Sequence, residues 1–412
     1  MKRIGIIGGG LGGCLTALEL ARQGYPVEIF EKNAEILREA SFFNEGKVHL
    51  GYLYANDDTR ATPKLMAKGA TYFRQTILEL TGFDVSEALS TPFLYALHRD
   101  SLVTSEKFEA HLTACSQEFQ DAIRQNPGNC GYVNGKSKMG FEVLEKSSWS
   151  IDLNQDEFEK VYLTDELGVD PRRLAQEVSR AVRGEPLITV HYQSKVEEIQ
   201  EAKTGKWNLL DCFGNLLGDR EFDLLINASW SDLLRLDSQL GLPLPKEWSY
   251  RYKLGNRIHR SVSADQLNSV TVVLGAFGDL VNYGSKGGLF MSWYPSGRLV
   301  MTHEIELPDL NQPEYADRRQ IAFDESQRVW EKLSNHFSAI QINPSEVDNR
   351  GGVILASGRI DVDDPRSSLH SRINVGITSK GTYYSLNTGK YTLAPMLALK
   401  MADLVIRENL KH

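Results

Sequence analysis

Three glycines near the start of the chain, Gly8, Gly10 and Gly13, have G-x-G-x-x-G spacing. Between a strand and a helix, the first glycine permits a tight turn, the second lets backbone approach a pyrophosphate, and the third allows close packing. Glu31, 18 residues after Gly13, is placed to accept hydrogen bonds from an adenosine ribose. This pattern predicts dinucleotide binding. The same predicted site includes the neighbouring residues Leu11, Gly12 and Lys32.

Two strands and a helix must position these residues. Apolar and β-branched side chains predict a first strand from Arg3 to Ile7, and a helix follows from Gly13 to Gln23. Gly24 ends that helix, and Val27 to Phe30 forms the second strand. The order of these features is the one that a Rossmann-like unit requires: a strand, a glycine turn, a helix, the glycine that ends the helix, and an acidic residue. The free N–H groups at the helix start would attract phosphates.

The glycine pattern continues with Ala17, Leu20, Gly24 and Val27. In this extended form it looks like the FAD-binding version of the unit, and an NAD-binding unit is the alternative. The stretch 40–54 has no regular period and mixes polar, glycine and aromatic residues. Such composition is typical of a loop that lines a site.

The stretch 40–54 resembles the loop after the ribose-binding acid in the D-amino-acid oxidase family of flavoproteins. Its N-x-G-x-x-H-x-G-x-x-Y pattern is similar to the L-2-hydroxyglutarate dehydrogenase branch of that family. The resemblance implies FAD as the cofactor, with Ser41, Asn44 and Gly46 beside it. It also implies that Lys47 and His49 lie near the reactive ring.

His49 has three possible roles. It can act as an acid–base or substrate-orienting residue, serve as a covalent attachment point for the flavin, or be a structural histidine. Family members that attach the flavin through cysteine use one late in the chain, whereas no cysteine follows Cys212 here. Non-covalent FAD is therefore expected over covalent FAD.

The segment from Leu224 to Ser231 resembles the strand and turn that pass the cofactor in this family, with one residue fewer at the turn. The resemblance implies that Ala228, Ser229 and Trp230 contact the cofactor and that Val196 lies beside the adenine. A buried strand that ends in a capped helix is the alternative interpretation.

Arg359 matches the arginine of a C-terminal family segment, where a two-pronged guanidinium binds the substrate carboxylate in several members. An ion pair with Asp361 or Asp363 is an equally good interpretation. Ile360 stands where the family has proline, so the conformation of this loop is an open question.

A polar segment precedes the last apolar helix, Leu393 to Ile406. By the resemblance, that helix start faces the flavin C2 carbonyl, where it would stabilise negative charge together with Lys390. Ordinary capping by Asn387 or Thr388 is the alternative and is compatible with a cofactor role. The residues predicted to form this part of the site are Thr388, Gly389, Lys390, Tyr391 and Thr392.

These segments predict an α/β protein with a discontinuous, Rossmann-like FAD-binding domain of the glutathione-reductase type, comprising 1–83, 151–239 and 351–412. The blocks 84–150 and 240–350 alternate apolar and polar residues and are rich in aromatics. They predict an α+β substrate domain with a mainly antiparallel sheet.

Composition excludes several other classes. Among 412 residues, 46 basic side chains are outnumbered by 54 acidic ones, and the net charge of -8 argues against nucleic acid as a partner. The four cysteines form no C-x-x-C pair, which favours a reducing cytoplasm and argues against a bound metal. No run is long and apolar enough for a membrane span, and glycines interrupt the only stretch that resembles a signal peptide.

The predicted activity is oxidation of a small carboxylate-bearing amine, amino acid or 2-hydroxy acid, by hydride transfer to flavin N5. His49 would take the hydroxyl proton of a hydroxy acid, whereas an amine can react from its neutral form. Lys253 is a candidate for activating oxygen, and the acceptor, oxygen or a quinone, stays open. A monooxygenase or halogenase reduced by NAD(P)H is the main alternative. A non-catalytic FAD-binding or tRNA-modifying protein is another.

Overall fold

The computed structural model describes residues 2–126, 128, 131–149, 151–263, 266–362, 364, 366–367, 371 and 374–410. The strands within these ranges are β1 (Ile4–Ile7), β2 (Val27–Phe30), β3 (Phe93–His98), β4 (Phe141–Leu144), β5 (Phe158–Thr164), β6 (Ile188–His191), β7 (Glu198–Glu201), β8 (Trp207–Leu210), β9 (Leu216–Phe222), β10 (Leu224–Asn227), β11 (Trp248–Ile258), β12 (Ser269–Val272), β13 (Gly278–Asn282), β14 (Leu289–Trp293), β15 (Arg298–Thr302), β16 (Val347–Ser357), β17 (Gly376–Lys380) and β18 (Tyr383–Asn387).

The α-helices in the same ranges are α1 (Leu11–Arg22), α2 (Ala61–Thr81), α3 (Ser105–Gln125), α4 (Lys146–Trp149), α5 (Pro171–Gly184), α6 (Leu233–Gln239), α7 (Gly284–Gly287), α8 (Tyr294–Gly297), α9 (Pro313–Leu333), α10 (Asn335–Ser338) and α11 (Ala394–Val405). Short 3-10 turns occur at Tyr52–Tyr54, Val85–Ala88, Pro344–Glu346 and Tyr391–Leu393, and a π turn at Ile406–Leu410. None of the described helices combines the length and the apolar character needed to cross a membrane.

The first sheet has six strands in the order β17-β18-β10-β1-β2-β6. All neighbours are parallel except β17, which is antiparallel to β18. Ile7 lies opposite both Phe30 and Asn227, so the carboxyl ends of β1, β2 and β10 meet at one edge. In open α/β sheets, ligands bind beyond this edge.

Both faces of the six-stranded sheet are covered. Helices α1, α2, α5 and α11 pack together over one face around a large apolar core. The three-stranded antiparallel sheet β7-β8-β9 covers the other face through Phe30, Phe222 and Leu225. Burial on both faces explains why β1 and β10 are continuous apolar runs rather than alternating strands.

The second sheet has nine strands, in the order β15-β11-β14-β13-β12-β3-β5-β4, with β16 also paired to β11. Its pairs are antiparallel apart from β12 with β3. Helix α9 packs on this sheet through Phe323 and Trp330, which share a core with Met291. The predicted α/β class, with a Rossmann-like sheet and a mainly antiparallel second sheet, is confirmed.

Two strands that lie wholly or partly in segments predicted for the FAD-binding domain pair in the large sheet. β5 pairs with β3 and β4 in the large sheet, although 151–239 was predicted to belong to the FAD-binding part. β16 pairs with β11 along its whole length, although 351–412 was predicted to belong there too. Backbone pairing between distant segments decides which sheet a strand joins, and composition carries no signal for it.

Candidate active site

The glycine turn after β1 is built by close backbone contacts. Gly8 has φ +101, and a Cβ on it would lie 2.6 Å from the backbone oxygen of Ala228. A Cβ on Gly13 would lie 2.2 Å from the backbone oxygen of Gly8. A Cβ on Gly10 would meet only Ser41 Oγ, at 3.5 Å, so this glycine keeps an open approach to its backbone. The three glycines thus have different steric roles.

Two side chains hold the start of α1. The Leu11 N–H donates to Ser41 Oγ at 2.9 Å, and the Gly9 N–H donates to Glu31 Oε2 at 2.8 Å. Glu31 is buried and also accepts from the backbone N–H of Asn33 at 2.8 Å. The helix has no acidic residue in its first turn, so its positive dipole end is available to an anion.

One pocket is lined both by this turn and by residues of the loop 43–49. Its empty space, including the part open to solvent, is about 1750 Å³. The predicted site residues that line it are Gly8, Gly10, Leu11, Gly12, Glu31, Lys32, Ser41, Asn44, Lys47, His49, Val196, Ala228, Ser229, Trp230, Lys253, Thr388, Gly389, Lys390 and Tyr391. The structure therefore brings six separate segments of the chain, 8–12, 31–49, 196, 228–230, 253 and 388–391, into one cavity.

Three other predicted residues support the pocket from outside its lining. Gly13 packs against the turn, and Gly46, with φ +63, would place a Cβ 2.3 Å from the backbone oxygen of Val169. Thr392 Oγ1 accepts from the His49 N–H at 2.8 Å and donates to the Lys47 oxygen at 3.3 Å. Thr392 therefore fastens the start of the last helix to the loop that carries His49.

The structure does not bring Arg359 into the pocket. The chain leaves β16 through Gly358, which has φ +94, and the Arg359 side chain is exposed. Asp361 is held instead by Arg298 at 2.9 Å and by the Tyr294 hydroxyl at 2.5 Å. Arg359 therefore does not line the pocket, and among the described residues it forms no ion pair with Asp361. Asp363 lies outside the described residues.

His49 is buried at the end of the pocket, with 1% of its surface exposed. Neither ring nitrogen has a hydrogen-bond partner among the described residues. Nε2 lies 3.8 Å from Glu45 Oε1 and Nδ1 lies 3.9 Å from Glu166 Oε1. Burial lowers the pKa of His49 to about 4, against the opposing effect of Glu45. The ring is therefore neutral at pH 7.

A buried cation lies beside His49. Lys47 Nζ is 2.8 Å from Asp279 Oδ1, donates to Thr271 Oγ1, and lies 4.4 Å from the centre of the Phe93 ring. Lys253 Nζ is 3.9 Å from the other oxygen of Asp279. Burial alone would raise the pKa of Asp279, but Lys47 and Lys253 hold it below its ordinary value. This carboxylate therefore anchors two lysines that line the pocket.

A family model described as "FAD dependent oxidoreductase", DAO, matches residues 3–404 of the chain. The protein belongs to the DAO family. Its members are FAD-dependent oxidoreductases, so FAD is the cofactor and the protein is an enzyme. The glycine turn and the long pocket fit this cofactor.

Two solved DAO-type structures share the fold over nearly the whole chain. Glycine oxidase from Geobacillus kaustophilus is 16% identical, with a TM-score of 0.65 and coverage of 100% of this chain and 96% of that one. Iminodiacetate oxidase from Chelativorans sp. BNC1 is 18% identical, with a TM-score of 0.64 and coverage of 100% and 97%. At these identities the likeness shows the fold.

Curated relatives match this DAO chain only in part. The FAD-dependent monooxygenase kojA of Aspergillus flavus is 33% identical over 142 residues, or 34% of this chain and 30% of kojA. The chain spans less than a third of the length of the first curated relatives it matches.

Three acids of the DAO site were not predicted from the sequence. Glu45 lines the pocket, Asp279 binds Lys47, and Glu166 lies behind His49. Asp279 lies within the apolar strand β13. Because a lone acid is rarely buried without a partner, its position in an apolar run could have indicated a candidate site residue. Glu166 had no comparable signal, because it follows a strand in a polar turn.

Proposed function

We propose that the protein oxidises the hydroxyl-bearing carbon of a small 2-hydroxy carboxylate. The observation that carries this proposal is His49, a neutral and buried base whose two ring nitrogens have no hydrogen-bond partner among the described residues. A hydroxyl group must lose its proton when its carbon is oxidised, and a base within hydrogen-bond reach accelerates that step. An amine, by contrast, needs no such base when it reacts in its neutral form.

The charges at this end of the pocket support the same substrate class. Lys253 and Lys390 line the pocket beside His49. A substrate carboxylate is attracted by these lysines. Burial alone would raise the pKa of Glu45, but His49, Lys390 and Lys253 hold it well below its ordinary value. Glu45 is therefore ionised and can stabilise a proton taken up by His49 Nε2.

The other end of the pocket is assigned to the cofactor. Backbone N–H groups of the turn from Gly8 to Leu11 would hold the pyrophosphate, Glu31 would hold the ribose, and Val196 would lie beside the adenine. Bound FAD supplies the electron acceptor that amino-acid side chains lack. The protein's own contribution is to bind and orient the substrate, exclude water and accept a proton.

The test is the anaerobic visible spectrum of the purified protein during addition of 2-hydroxy acids, D-amino acids and N-methyl amino acids. Bleaching of the flavin by a 2-hydroxy acid, with no bleaching by the matched amino acid, is the expected result. Bleaching by amines alone would overturn the substrate class in favour of amine oxidation. This is the first alternative because glycine oxidase and iminodiacetate oxidase share the fold.

A second candidate is the reaction of a monooxygenase, which the name of the partial relative kojA favours. Such an enzyme needs its flavin reduced by NAD(P)H before it uses oxygen. The same anaerobic experiment therefore includes NADPH and NADH. Rapid bleaching by either nucleotide without a further substrate would replace the hydroxy-acid proposal with this one.

We also infer that FAD is held without a covalent bond. Among the described residues, Cys14 and Cys115 are buried and Cys212 is exposed, and none of them lines the pocket. The ring of His49 lies between two carboxylates. Acid precipitation should release the yellow colour into the supernatant, whereas colour retained in the washed pellet would contradict this inference.

A further inference from the structure

Glu166 is a fully buried acid that the proposed reaction has not yet used. It lies just after β5, with 0% of its surface exposed and outside the pocket lining. Its Oε2 accepts from the Leu50 N–H at 2.6 Å, and its Oε1 accepts from the Tyr95 hydroxyl. Two donors from different elements therefore fix the plane of this carboxylate. Burying such a group is costly unless it is well partnered.

The fixed carboxylate faces the inner side of His49. Glu166 Oε1 lies 3.9 Å from Nδ1, while the pocket-lining Glu45 lies 3.8 Å from Nε2. The imidazole thus has an acid on each side, one in the protein interior and one in the pocket. In a neutral histidine, an acceptor beside one ring nitrogen keeps the proton on that nitrogen and leaves the other nitrogen unprotonated.

We propose that Glu166 is a positioning residue that accepts the Nδ1–H of His49 and so keeps Nε2 unprotonated on the pocket side. This inference rests on the proposed function of His49 as the base. The substrate hydroxyl proton then moves to Nε2, and the positive charge that forms on the ring lies between Glu166 and Glu45. Glu166 Oε1 and His49 Nδ1 are 3.9 Å apart, so this hydrogen bond requires a small inward movement of the ring.

Two lysines near His49 destabilise the positive charge that forms on its ring. Lys47 from the same loop and Lys390 from the segment before α11 both lower the pKa of His49. The ring of Tyr54 lies 5.6 Å away, edge-on, and adds no ionic partner. Asp279 pairs with Lys47, whereas Glu45 and Glu166 are the acids that lie 3.8 and 3.9 Å from the nitrogens of the His49 ring. Burial also raises the pKa of Glu166, against the effect of Lys47, which makes it a stronger proton acceptor.

The test compares Glu166→Gln with Glu109→Gln in the FAD-loaded protein. In Glu166→Gln, the amide oxygen can still accept from Leu50, so the new NH₂ group faces Nδ1 and should move the His49 proton to Nε2. Nitrogen-15 chemical shifts of labelled histidine, assigned with His49→Asn, report this change without any substrate. The rate of flavin bleaching should fall by on the order of 10²-fold with little change in substrate affinity. Glu109 also accepts from a tyrosine hydroxyl, that of Tyr162 at 3.1 Å, but it is 34% exposed, pairs with Lys160 and does not line the pocket. It is the control and should change neither quantity.

Tyr95→Phe provides a second variant with the opposite expected effect. Removing the hydroxyl leaves Oε1 free for His49, so the pKa of His49 should rise, whereas Glu166→Gln should lower it. An unchanged His49 tautomer and pKa in both variants would overturn the role of Glu166. A changed tautomer in a protein that no 2-hydroxy acid bleaches would instead leave Glu166 as the positioning residue and reject the proposed substrate.

Discussion

Replacing Lys47 by methionine should lower the free energy of unfolding by about 3–5 kcal/mol, because it leaves a buried carboxylate without its ion-pair partner. Lys47 and Asp279 are 2.8 Å apart, and the lysine side chain is 1% exposed. Lys253 is 3.9 Å from the other oxygen of Asp279 and compensates only part of the lost charge. Methionine keeps the apolar stem of the side chain, so packing against Phe93 changes little. Chemical denaturation of the FAD-loaded protein measures the difference.

Two further variants separate the buried charge from other effects. Asp279→Asn in the Lys47→Met background removes the unpaired charge and should restore part of the lost stability. Lys136→Met breaks the exposed pair with Asp165, where the lysine is 57% exposed, and should cost about 1 kcal/mol or less. Equal losses in Lys47→Met and Lys136→Met would show that burial of the pair is unimportant.

The nucleotide-binding turn was predictable because its chemistry is local. The predicted strand from Val27 to Phe30 matches β2, and the predicted first strand and helix differ from β1 and α1 by one or two residues at their ends. Gly8 and Gly13 are required by contacts within the same βαβ unit or its neighbouring strand. Sequence spacing therefore carries the needed information. The same holds for the last helix, predicted from Leu393 and observed from Ala394.

The rest of the site depends on pairing between distant segments. β11 and β16 align from Trp248 opposite Ser357 to Ile258 opposite Val347, and this pairing decides where Lys253 lies. The partner of Lys47 is 232 residues away in β13. Arg359 follows a family motif, yet Gly358 turns it to solvent. Residue type and motif cannot reveal such placements, because they are set by the tertiary fold.

Replacing His49 by asparagine should lower the rate of flavin bleaching by the best 2-hydroxy acid by about 10²- to 10⁴-fold, the usual contribution of a general base. Asparagine keeps a polar group of similar shape at the end of the pocket, so substrate affinity should change little. His111→Asn is the matched control, because His111 is also largely buried but binds the Gly51 oxygen at 3.0 Å outside the pocket. An unchanged rate in His49→Asn would assign His49 a structural role.

The pH dependence of the bleaching rate and of unfolding gives a second test of the role of His49. With a pKa of about 4 in the folded protein, His49 stays neutral down to that pH, so the bleaching rate should fall as the pH approaches 4.

In the unfolded chain, histidine takes up a proton near pH 6.5. Between these values the unfolded state binds more protons, so stability is fully present above ~6.5 and declines as the pH falls toward 4. The loss is up to about 3 kcal/mol. His49→Asn should lose this part of the pH dependence of unfolding, whereas identical pH profiles for the two proteins would mean that His49 is not buried in its neutral form.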